Sequence, residues 1–167
     1  MKLAKLFNGL LLSLALIALN SCLDQPQGQY SPSIICDNIV TNNGDTLKLR
    51  LDSNQEYYWL DTMTIGDTAK FGFTFYGYAN NLISTEIKID TIYAAINMPL
   101  SEDIRQAILE TSDTLNGQIN YKPGYNAALI FADYIALKEG TPSIKLSVHS
   151  DSKFSPTTFE IRTPIRQ

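Results

Sequence analysis

Phe71, Phe73 and Phe75 alternate with Gly72, Thr74 and Tyr76, and this two-residue period constrains the fold more than any other feature of the chain. An extended backbone turns successive side chains to opposite faces, so the three phenylalanines share one face and need a second layer to cover them. The same period recurs. Leu47, Leu49 and Leu51 alternate with Lys48 and Arg50, and Ile144, Leu146 and Val148 with Lys145 and Ser147, while Phe159 and Ile161 flank Glu160. Ile83, Ile87 and Ile89 share one parity around Thr85, against Glu86 and Lys88. Ala127 to Leu137 is a nearly unbroken apolar run, which predicts a central strand covered on both faces, with Asp133 the acid expected to be buried.

Turn chemistry separates these segments. Asp-Thr occurs at Asp45, Asp61, Asp67, Asp90 and Asp113, where an aspartate can accept a bond from its own backbone and a β-branched residue enters the next strand. Asn43-Gly44, Gly66-Asp67 and Pro123-Gly124 add further breaks. One segment departs from the period. Ser101 to Glu110 places Ile104, Ala107 and Ile108 on one helical face, with Ser101 as cap and Glu102 and Asp103 at the positive end. The expected architecture is therefore all-β, an antiparallel sandwich crossed by one short helix, with a closed barrel as the alternative.

The first residues read differently. Lys2 and Lys5 precede Gly9 to Leu19, a stretch apolar except for Ser13. As a helix it spans about 16 Å, roughly half a bilayer core, so it fits an export signal better than a permanent span. Leu19-Asn20-Ser21-Cys22 resembles the lipobox of bacterial lipoproteins, with Asn20 where that family carries a smaller residue. The resemblance implies that the signal is cut before Cys22 and that Cys22 bears the lipid. No acid follows Cys22 directly, which under the same resemblance favours the outer membrane. Leu23 to Ser33 is rich in Gln, Pro and Gly, as a flexible tether is. The chain thus divides into a signal over 1–21, a lipidated Cys and tether over 22–33, and a single β-domain over 34–167.

Within that domain, Thr64 to Phe71 followed by Asn80-Asn81-Leu82 resembles strand entry in bacterial immunoglobulin-like modules, which implies an immunoglobulin-like sandwich. The Cys…Trp…Cys signature of antibody-type domains is absent. So is the Gly-x-Trp of lipocalin-like barrels, since Tyr57 stands where the Gly belongs.

Composition then limits the chemistry. Of 167 residues 13 are basic and 17 acidic, and two of the basic ones fall in the signal, so the mature chain is the more acidic part. That balance disfavours nucleic acid and anionic lipid head groups as partners. No serine elbow, phosphate loop, dinucleotide fingerprint or His-Glu-x-x-His occurs, so neither an enzyme nor a cofactor is expected. Cys36 and the single His, His149, are a poor nucleophilic pair and too few for a zinc site. The acids from Asp52 to Glu56 do not follow the order of a calcium loop and read as a turn. Aromatics remain. Tyr57 and Trp59 share one parity and Tyr58 the other, while Tyr76 and Tyr78 face away from the phenylalanines. These four are the candidate ligand-binding residues. The expected function is that of a lipid-anchored envelope protein acting as a non-enzymatic binding or accessory module, through protein contacts such as strand addition at a sheet edge. A glycan partner met by the aromatics is the alternative, and a small-ligand barrel a further one.

Overall fold

Three long strands organise the molecule: β1 (Ser33–Thr41), β6 (Thr68–Tyr76) and β10 (Ala127–Ala136). The computed structural model describes residues 30–167, so the signal, the lipobox and Cys22 lie outside the described residues. Between and after these strands run β2 (Thr46–Leu47), β3 (Leu49–Leu51), β4 (Tyr58–Leu60), β5 (Met63–Thr64), β7 (Leu82–Ile89) and β8 (Ala94–Asn97). Then follow α1 (Glu102–Ala107), β9 (Gln118–Asn120), β11 (Ser143–Ser150), β12 (Thr157–Arg162) and β13 (Ile165–Arg166). One sheet has the order β2-β1-β6-β10-β8, the other β3-β4-β12-β11-β7-β9, and β13 pairs with β5 in a small third ribbon.

The phenylalanine period holds the layers together. Ala69, Phe71, Phe73 and Phe75 of β6 and Ala128, Ile130, Ala132 and Tyr134 of β10 are buried on the inner face of the five-stranded sheet. Ile87, Ile144, Leu146, Val148 and Ile161 are buried on the six-stranded sheet and belong to the same core. Among the described residues both sheets end in short strands that no further strand covers, β2 and β8 in one, β3 and β9 in the other. The molecule is therefore the antiparallel β-sandwich expected from the alternation, and the barrel is set aside. Two pairings are parallel, β12 with β4 and β13 with β5.

Three expectations change. Leu47, Leu49 and Leu51 do not form one strand, because the chain leaves the first sheet after Leu47 and enters the second at Leu49. Asp61 fixes this crossing by accepting the Lys48 N–H at 2.9 Å. In β7 the pairing with β11 shifts between His149 and Ser150, so Leu82 turns inward and Ile83 outward against the simple parity. Strand β10 lies inside its sheet, yet among the described residues only one of its faces is covered. Leu129 and Phe131 point to solvent, and Asp133 lies half-buried on that outer face, across from Lys70.

The punctuation behaves as expected. Asp67, Asp90 and Asp113 accept backbone N–H bonds from Thr64, Ile92 and Asn116. Ser101 caps α1 through its hydroxyl, which accepts from the Ile104 N–H, and Ile104 and Ala107 are buried. Gly117 has φ +78°, and an added Cβ would stand 2.0 Å from the Ile87 carbonyl oxygen. Only glycine allows this close approach, in which the Ile87 N–H donates to the Gly117 carbonyl at 2.9 Å and brings β9 to β7.

Candidate functional site

Strand β4 carries Tyr58 and Leu60 on its inward parity, where the Tyr58 ring stacks on Phe159 at 4.6 Å. Tyr57 and Trp59 therefore face outward from the six-stranded sheet. The register sets Trp59 between Arg50 of β3 and Arg162 of β12. The Arg162 guanidinium lies 3.7 Å over the Tyr57 ring, and Trp59 meets Tyr57 edge to face at 5.2 Å. Arg162 Nε donates to Glu160 at 2.9 Å, and that bond, together with the carboxylate's charge, raises the guanidinium's proton affinity. Arg162 is thus held from two sides, by a carboxylate and by a ring face.

Beside this cluster the sheet surface is concave. A cleft of about 400 Å³ is lined by Glu56, Glu86, Lys88, Lys145, Thr158 and Glu160, among others. Lys88 pairs with Glu86 at 2.7 Å and Lys145 approaches Glu160 at 3.9 Å. Such exposed pairs contribute little stability, so they leave a face rich in donors and acceptors at small cost to the fold.

The loop that leads into Tyr57 is closed by Asp52, whose carboxylate accepts N–H bonds from Asn54 at 3.0 Å, Glu56 at 2.6 Å and Tyr57 at 3.2 Å. These acids form a turn, as the sequence suggests. Partial desolvation pushes the Asp52 carboxyl upward, but the three backbone donors and the Arg162 charge together hold it below its ordinary value of 3.8. A lowered folded-state value gives stability that is complete above the unfolded value and is lost as pH falls through the folded one. The Trp59 emission maximum should therefore stay constant on acidification until pH is below 3.8, then move. Asp52→Asn should show the moved spectrum already at neutral pH.

Tyr76 and Tyr78 are elsewhere. Tyr76 lies on the outer face of the five-stranded sheet and Tyr78 just beyond the end of β6, at φ 59°. Their rings are 6.0 Å apart, Tyr30 stands 5.6 Å from Tyr78, and the Tyr78 hydroxyl and Ser33 hydroxyl are hydrogen-bonded at 2.8 Å. The four aromatics expected to bind ligand thus form two clusters on opposite faces of the sandwich. Tyr57, Trp59 and Tyr76 are half-buried and Tyr78 is exposed. Arg162 and Glu160 complete the first cluster and were not evident from sequence, because a parallel pairing brings them from the far end of the chain.

Cys36 and His149 are not brought together, since Cys36 shares the inward parity of β1 in one sheet and His149 is exposed on the outer face of the other. Among the described residues no group of three or more His, Cys, Asp or Glu side chains is placed to hold a metal.

No family model matches the chain, and no curated protein does. A solved structure that aligns with it is that of BslA, described as a bacterial hydrophobin, at 14% identity and a TM-score of 0.39 over 83% of this chain and 97% of that one. A likeness at that level carries no argument about fold or function.

Proposed function

We propose that this protein is a lipid-anchored component of the bacterial cell envelope, held in the outer membrane through Cys22, that acts as a non-enzymatic binding or accessory module for a protein partner. The observation that carries the binding role is the cluster of Tyr57, Trp59 and Arg162 on the outer face of the six-stranded sheet. Tyrosine, tryptophan and arginine are the residue types that dominate protein interfaces, and they do so most when little freedom is lost on binding. Arg162 already has its place, between Glu160 and the Tyr57 ring. Strand addition has less support, because the edge strands β2, β3, β8 and β9 are each four residues or shorter.

A glycan is the second reading, favoured by the carboxylates, amines and hydroxyls that line the neighbouring cleft. Against it, one face of the Tyr57 ring is taken by Arg162. A photo-crosslinking residue in place of Thr158, in the full chain within cells, distinguishes the two. The expected result is one discrete protein adduct, reduced about tenfold or more by Trp59→Ala and by Arg162→Ala. An absent adduct, or one indifferent to both substitutions, overturns the protein reading. Oligosaccharide binding that shifts Trp59 emission would establish the glycan one.

A further inference from the structure

The outer face of the five-stranded sheet carries, among polar residues such as Thr74, Lys70 and Asp133, a strip of exposed apolar side chains. Leu129 and Phe131 of β10 are 46% and 53% exposed, and Ile35 of β1 is 42% exposed. They are close neighbours by register. Ile35, Thr74 and Leu129 form one cross-strand row and Asp37, Gly72 and Phe131 the next, so the Phe131 ring stands beside a position with no side chain. In the other direction lie Tyr76 and then Tyr78 and Tyr30. The strip thus grades from aliphatic and Phe side chains to three tyrosines, and Lys70 and Asp133 close its far end.

The chain enters the fold at the tyrosine end. Tyr30 packs on Tyr78, and Ser33 bonds the Tyr78 hydroxyl. The segment between Cys22 and Tyr30 reaches at most about 29 Å when fully extended. A lipid at Cys22 therefore keeps the tyrosine end of this strip close to the bilayer surface at all times, at the high effective concentration of a short tether. Tyrosine favours the membrane–water interface, and exposed Phe, Leu and Ile gain by leaving water there, so both ends of the strip suit contact with lipid.

We infer that the outer face of the five-stranded sheet rests on the lipid bilayer, so that the anchored domain lies down on the membrane and turns the Tyr57–Trp59–Arg162 face away from it. This rests on the lipid anchor of the proposed function. The two faces belong to opposite sides of the sandwich, so contact of one with lipid leaves the other free for a partner.

Trp59 is the single tryptophan and stands on the face turned away, which makes the orientation measurable. The lipidated full chain is reconstituted in vesicles of phosphatidylcholine brominated in mid-chain. Trp59 emission should be unchanged by bromine. In a Trp59→Phe background, Phe131→Trp should lose most of its emission, and Leu129→Trp provides the same reading should the first variant fold poorly. A reporter at 131 or 129 that is unquenched in vesicle-bound protein overturns the orientation with the anchor intact. Shielding of that reporter from aqueous acrylamide without quenching by bromine does so as well, and assigns the strip to a protein partner or to another segment of this chain. If Cys22 proves unmodified by mass spectrometry, the anchor fails, and the orientation falls with it.

Discussion

Phe73→Ala should destabilise the domain by about 3–5 kcal/mol, measured as a shift of the urea midpoint at constant slope. Phe73 is 0% exposed and sits in the middle of β6, paired on one side with Cys36 and on the other with Ile130. Its ring stacks on Phe71 at 5.3 Å, so truncation removes both buried area and a ring contact. Against a total of about 5–15 kcal/mol for a domain, that is a large fraction, and the variant should be partly unfolded at elevated temperature. The same change at Phe131 is the control. Phe131 faces outward from the neighbouring strand, so Phe131→Ala should cost less than about 1 kcal/mol in the detergent-free, unanchored chain. Equal losses at the two positions would mean that the inner and outer faces of this sheet are misassigned.

That contrast also marks how far the sequence could be read. Parity within one strand was enough to place Phe71, Phe73 and Phe75 in the core, and to turn Tyr57 and Trp59 away from Tyr58. Parity failed where a strand is apolar on both faces for different reasons. The run from Ala127 to Leu137 reads as doubly buried, but one of its faces packs on the second sheet and none of the described residues covers the other. Hydrophobic pattern reports a preference for leaving water, without reporting what receives the side chain. The split after Leu47 was invisible for another reason: the sheet change depends on Asp61 and on partners remote in sequence. The site divides in the same way. Tyr57 and Trp59 were legible as an outward pair, but Arg162 joins them only through the parallel pairing of β12 with β4, and no local signal announces a partner so distant.

Cys22→Ser should transfer nearly all of the protein from the membrane to the soluble fraction. The contribution of acyl chains is large, about 0.8 kcal/mol for each buried methylene, and two or more chains give stable anchoring where one is marginal. The apolar strip offers far less. Ile35, Leu129 and Phe131 are each only about half exposed, so half of their apolar surface is already withdrawn from water and gains nothing from lipid. Without the anchor, the strip should hold the chain no better than a single short acyl chain would, and washing should remove it. The mass of the chain should be measured in the same fractions, because a retained signal over residues 1–21 would also hold the protein on the membrane. Phe131→Ser is the complementary change: it should leave fractionation untouched, since the anchor remains, while weakening the contact of the sheet with lipid. Unchanged fractionation of Cys22→Ser with the signal removed would defeat the anchor. Release by Phe131→Ser alone would show instead that the strip does the holding. The two substitutions therefore separate what keeps the domain at the membrane from what decides which face it presents.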